Sequence, residues 1–248
     1  PQRATRRRSD RVPKKKAQLY VIPATGGEPV KLTDLKNGVS SPVWSPDGGR
    51  IAFVSRVGGE EEPEKTEDPP KSKPARIITT LKYRSNGEGF VYDRRPHVFV
   101  VSAGGGDPIQ LTDGDFADGG PAWSPDGATI AFVSARHDDR DYDNASDVWL
   151  VPSAGGEPRR LTDTAGPIST PRFSPDGRLV AYVGQRALNE SGRNNRVFAI
   201  PIEGGEPRCL TADLDRNCAP FGGGDGLLWT ADSGTLLFAV EELGSIHA

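Results

Sequence analysis

The chain of 248 residues has no methionine, two cysteines and three histidines, and each scarcity removes a class of function. Cys209 and Cys218 stand nine positions apart without a Cys-x-x-Cys partner or a nearby histidine. They support neither a zinc site nor a disulfide framework, so no metal or cofactor is expected and a reduced, cytoplasmic compartment is. No apolar run approaches the roughly 18 residues that cross a bilayer, and no basic start leads into an apolar export stretch. Membrane spanning is excluded and no export signal is visible. Long helices are excluded too, because 30 glycines and 22 prolines punctuate about a fifth of the chain. The missing methionine, even at position 1, predicts a piece of a longer reading frame, with function partly outside it.

What is present is enough for a packed core. Hydrophobic residues make up 35% and charged residues 26% of the chain, with a net charge of −3. That charge is unevenly placed. Residues 1–16 form a basic arm in which Arg3, Arg6, Arg7, Arg8, Arg11, Lys14, Lys15 and Lys16 face Asp10 alone, +7 against −10 on the remainder. No aromatic residue is interleaved there to stack on bases, so a solvated arm is expected and nucleic acid is not a partner.

Three marks recur together. Gly-Gly-Glu/Asp-Pro occurs at 26–29, 105–108, 155–158 and 204–207, spaced by 79, 50 and 49 residues. Leu-Thr follows at Leu32, Leu111, Leu161 and Leu210. Then comes Trp/Phe-Ser-Pro-Asp-Gly at 44–48, 123–127 and 173–177, with a worn copy, Trp229-Thr-Ala-Asp-Ser-Gly234. A β-rich run follows each copy, such as Ile51-Ala-Phe-Val-Ser55, and another precedes each Gly-Gly pair, such as His97-Val-Phe-Val-Val101. Proline fixes φ for the turn and glycine supplies φ > 0, so Ser-Pro-Asp-Gly reads as a hairpin turn.

One repeat is therefore four antiparallel strands with a period near 50, the pattern of a β-propeller blade, its recurring aromatic packed between neighbouring blades. The fold class is all-β, and residues 17–248 form the propeller segment. It divides into a half-blade 17–34, blades 42–113, 121–163 and 171–212, and a half-blade 227–241. That makes sixteen strands. They are read as a segment of a larger ring rather than four closed blades, with Trp44 and Trp229 left exposed at its ends and the isolated piece prone to associate. An insertion, 56–96, separates the second strand of the first full blade, ending near Ser55, from the third, starting at His97. Its half from Gly58 to Pro74 is acidic and Pro-rich and reads as a surface loop; its second half should form an extra hairpin.

No Gly-x-Ser-x-Gly elbow occurs, so no serine nucleophile is expected in this chain. His97, His137 and His247 read as structural or solvated. The loop Asp138-Asp-Arg-Asp-Tyr-Asp-Asn144 lacks the glycine and glutamate of a calcium loop, and Gly104-Gly-Gly106 precedes no helix that could cradle a phosphate. The candidate binding residues are Tyr83, Arg84, Arg94 and Arg95 of the insertion, since a guanidinium grips a carboxylate bidentately.

The repeats resemble those of TolB-type propellers and of the propeller in prolyl oligopeptidase-family serine peptidases. Leu81-Lys-Tyr83-Arg84-Ser-Asn-Gly-Glu-Gly-Phe90, Asp93-Arg94-Arg95-Pro-His97-Val-Phe-Val-Val101 and Ala135-Arg-His-Asp-Asp-Arg-Asp141 resemble the acylaminoacyl-peptidase branch of the latter. That resemblance implies a seven-bladed propeller over an α/β-hydrolase domain that carries the catalytic Ser, Asp and His. This chain would then be the non-catalytic gating portion of an oligopeptide-cleaving enzyme, with that hydrolase domain and peptide substrates as partners and a homo-oligomeric parent. A TolB-like binding propeller without enzymatic activity is the alternative.

Overall fold

A computed structural model describes residues 16–59, 75–86, 88–188, 190, 192–219 and 226–247. The basic arm up to residue 15 and residues 60–74 of the insertion lie outside the described residues. Strands β1 (Tyr20–Val21) and β2 (Val30–Lys31) pair with each other. Next come β3 (Ser40–Trp44) and β4 (Arg50–Gly58), then the insertion's own hairpin of β5 (Arg84–Ser85) and β6 (Gly89–Phe90). Strands β7 (Arg94–Ser102) and β8 (Ile109–Gln110) complete a four-stranded antiparallel sheet in the order β3-β4-β7-β8. The next sheet holds β9 (Asp118–Trp123), β10 (Thr129–Ser134), β11 (Asp147–Pro152) and β12 (Arg159–Arg160). It is followed by β13 (Ile168–Phe173), β14 (Leu179–Gly184), β15 (Arg196–Pro201) and β16 (Arg208–Cys209), and then the pair β17 (Leu227–Trp229) and β18 (Leu236–Phe238). The chain is all-β, built of four-stranded antiparallel propeller blades.

Two strand boundaries differ from expectation. β4 and β7 run on to Gly58 and back to Arg94 through the pairs Arg56↔Pro96, Val57↔Arg95 and Gly58↔Arg94. Pro96 is tolerated because β8 pairs only with Phe99 and Val100, so no ladder on that side needs its missing N–H. The run from Leu236 to Val240 is not one strand: it breaks at Ala239, and β19 (Val240–Glu242) and β20 (Ser245–His247) form a further hairpin. Leu243 and Gly244, at φ 48° and 77°, make its two-residue turn, a conformation that hairpins demand of both central residues.

The Ser-Pro-Asp-Gly marks are hairpin turns with a fixed internal wiring. Ser45 Oγ donates to Asp47 Oδ1 and accepts from Arg50 N, while Asp47 Oδ1 accepts from Gly49 N. The same pattern recurs at Ser124/Asp126, Ser174/Asp176 and Thr230/Asp232. The worn copy keeps the geometry by holding Ser233 at φ 59°, where the others use glycine. The Leu-Thr mark has a physical role as well. The hydroxyls of Thr33, Thr112, Thr162 and Thr211 accept the backbone N–H of Leu19, Val98, Val148 and Val197, at 2.9–3.0 Å. Each tacks the outer strand's exit to its neighbour.

Each described inner strand has a residue in the left-handed region three places before its aromatic, within its first three positions or just ahead of it: Ser41 (φ 51°), Gly120 (60°), Thr170 (50°) and Gly226 (77°). In the three full blades the register shifts there, the mark of a β-bulge. A β-branched residue is the costliest choice, and the Thr170 hydroxyl is buried without a partner. Thr170→Gly removes about 1–2 kcal/mol of left-handed strain against about 0.5–1 kcal/mol of added chain entropy. The variant should gain about 0.5–1 kcal/mol by urea denaturation; a lower midpoint would contradict this reading of the bulge.

Side chains alternate between neighbouring sheets. Ile51 and Phe53 pack toward the first half-blade with Leu19 and Leu32, whereas Ala52 packs with Trp123, Ile130 and Phe132 of the next blade. Trp123 is buried, its Nε1 donating to the Val43 carbonyl at 3.1 Å, and Arg50 lies 4.7 Å over its ring. Trp229 likewise donates to the Arg172 carbonyl of the preceding blade. Of the two tryptophans expected to be exposed, only Trp44 is, at 54%. On the last half-blade it is Leu228 and Leu237 that face outward instead.

Candidate functional site

Strand alternation puts the Ser-Pro-Asp-Gly and Gly-Gly-Glu-Pro turns at one end of the blades. At the other end lie the connections between blades, the loops from each second strand to the third, and clefts among the described residues. That end is the candidate binding face. The insertion emerges there and folds back on an aromatic ladder, Tyr83 on Phe90 at 6.1 Å and Phe90 on Tyr92 at 6.3 Å, with Arg76 4.7 Å over Phe90.

The insertion docks on the neighbouring blade through Asp141. The carboxylate accepts from Thr80 Oγ1 at 2.7 Å, Leu81 N at 2.6 Å and Lys82 N at 2.9 Å. Those donors, Thr80 first, hold its pKa down at about 2. Lys82 Nζ donates to the carbonyls of Arg140 and Asp143. The loop that resembles a calcium site is thus a short 3-10 helix, Asp138–Asp141, with Asp141 given to the insertion and Asp143 to His137 Nε2 at 2.9 Å.

The four sequence candidates do not converge. Arg94 and Arg95 are successive on β7, so they leave opposite faces of the sheet. Arg94 donates to the Phe90 carbonyl at 2.7 Å and lines a cleft of about 340 Å³ with Arg56, Glu88 and Asn37. Arg95 pairs with Asp115 at 2.7 Å and lines a second cleft, of about 290 Å³, with Lys82, Tyr92, Phe116 and Arg140. Tyr83 and Arg84 are exposed on the hairpin and line neither.

The residues missed are those of the connection 113–118. Phe116 lies between two guanidiniums, Arg136 at 4.7 Å and Arg140 at 5.1 Å. Asp118 is fully buried, with His97 Nδ1 and Arg136 Nη2 each 3.0 Å from its oxygens. Burial pushes its pKa up, but hydrogen bonds from His97, Ser134 and Thr112 and the charge of Arg136 outweigh this and hold it below 3.8. His97 is therefore a core residue wired to a carboxylate, and the arginine behind Phe116 is fixed from below.

These sheets and this asymmetric pair of ends define a segment of β-propeller. No family model matches the chain. It is 39% identical over 119 residues to the uncharacterized peptidase YuxL of Bacillus subtilis, covering 47% of this chain and 18% of that protein. It is 28% identical over 142 residues to the Tol-Pal system protein TolB of Bordetella pertussis, covering 48% of this chain and 30% of that protein. The chain thus spans less than a third of the length of either curated relative. Its fold matches an acylaminoacyl peptidase of Pyrococcus horikoshii with a TM-score of 0.64 at 19% identity, covering 92% of this chain and 33% of that one. In sequence and in fold the chain resembles the propeller portion of such peptidases.

Proposed function

We propose that this chain is the non-catalytic, substrate-gating propeller portion of a serine peptidase that hydrolyses oligopeptides, in the manner of the acylaminoacyl peptidases. The observation that carries the reading is the 39% identity to a peptidase, joined to an insertion that builds one wall of a cleft at the loop-bearing end. Rigid blades over a reaction chamber exclude folded proteins and admit short chains, keeping the site from bulk water. A hydrolase domain elsewhere in the polypeptide would supply the nucleophile, and the enzyme would be a cytoplasmic homo-oligomer. The 28% identity to TolB supports a second reading, a binding propeller for a protein partner.

Hydrolysis by the full-length protein of one peptide sequence, offered free and then within a folded protein, tests the gate. The free peptide should be cleaved and the folded host spared by at least about 100-fold. Equal cleavage would remove the gate, and no cleavage of either would favour the binding propeller.

A further inference from the structure

Resting on the peptidase reading, we propose that the cleft between the insertion and the following blade is a binding subsite for the free α-carboxylate of a short peptide, gripped by Arg95 and Tyr92. Arg95 is largely buried, its side chain 17% exposed, yet among the described residues its one bond runs from Nε to Asp115 Oδ1 at 2.7 Å. Both Nη nitrogens of a planar, permanently charged fork are without a partner among the described residues. A half-buried guanidinium whose open donors face a cleft fits an anion, and best a carboxylate that takes two parallel N–H bonds.

Asp115 marks the charge the site accepts. Its carboxylate is 67% exposed and sits between Arg95 and Arg140, the latter at 3.6 Å. An ion pair that exposed is weak and gives way to a better-placed ligand. Tyr92 lines the same cleft with no hydrogen-bond partner for its hydroxyl among the described residues, so it can donate to the second carboxylate oxygen. Two of the other charged groups of the lining are already engaged, and the carboxylate of Asp138 also lines the cleft. Asp141 is saturated by Thr80, Leu81 and Lys82, and Lys82 Nζ is held by two carbonyls. A volume of about 290 Å³ holds one or two residues of a chain end. A folded surface cannot enter.

The test is calorimetric titration of the full-length protein with acetyl-Gly-Gly bearing a free carboxylate, with its C-terminal amide, and with acetyl-Asp-amide. The free acid should bind at least about 10-fold tighter than either amide. Arg95→Gln should abolish that preference, and Asp115→Asn, an exposed change that leaves the fold intact, should tighten the acid several-fold. Equal binding of acid and amide, an unchanged preference in Arg95→Gln, or weaker acid binding in Asp115→Asn would each overturn the subsite. Preference for acetyl-Asp-amide would overturn the assignment to a chain end. Failure of the peptidase reading shows separately, as absence of hydrolysis, whatever the ratio of acid to amide binding.

Discussion

Asp118→Ala should lower the stability of the protein by about 3–5 kcal/mol, the cost of leaving a buried charge without its partner. The side chain is wholly buried, and it is the carboxylate on which His97 and Arg136 converge at 3.0 Å each. Without it, Arg136 keeps its place over Phe116, Phe132 and Trp149, at 4.7–5.4 Å, but the counter-charge is gone. The deletion also removes the acceptor for the Ser134 and Thr112 hydroxyls, so strands β7 and β10 and the connection after β8 lose a common tie. The pH dependence follows from the sign of the shift. A carboxyl whose pKa is lower when folded than when unfolded stabilises fully above the unfolded value, and that contribution disappears as pH falls through the folded one. The gap between wild type and Asp118→Ala, measured by urea denaturation, should therefore be full at neutral pH and shrink below pH 3.8, the ordinary value. A gap that widens on acidification would reverse the assignment.

Trp123→Ala should cost about 3–5 kcal/mol, whereas Trp44→Ala in the 248-residue chain should stay within about 0.5 kcal/mol. The two occupy the same place in successive repeats, before Ser-Pro-Asp-Gly. Their surroundings differ. Trp123 is 7% exposed, hydrogen-bonded to the Val43 carbonyl of the blade before it and covered by Arg50, while Trp44 is 54% exposed. Arg50 adds to the asymmetry: it also donates to the Gly127 carbonyl and Ser153 Oγ across the blade boundary, at 2.8 and 3.0 Å. In the longer polypeptide proposed above, a preceding blade would cover Trp44 and raise its cost toward that of Trp123. Thermal unfolding of both variants in both lengths of chain measures this. Equal costs in the short chain would show that the aromatic does not act through the neighbouring blade.

The blades were legible because their marks carry their own geometry. Ser45, Asp47 and Gly48 close a turn with local bonds alone, and Thr33 and its counterparts repeat one bond four times, so position in the repeat dictates the contact. The site was legible only in part. Arginines on the insertion could be picked out as anion-binding types, but Arg94 and Arg95 separate to opposite faces because β7 starts at Arg94 rather than at His97. Asp115, Phe116 and Asp118 sit in a polar connection whose composition reads as solvent-exposed loop, yet Asp118 is buried by Arg136, 18 residues on. Asp141 stands in a loop with a superficial likeness to a calcium site, while its partners lie 59–61 residues earlier in the insertion. Side-chain bonds across such separations leave no periodic trace.

Mass-spectrometric mapping of the full-length protein after reaction with a fluorophosphonate tests most directly whether this chain is the propeller of a serine peptidase. One adduct is expected, on a serine outside residues 1–248. An adduct on a serine of this chain, or no adduct at all, would contradict it.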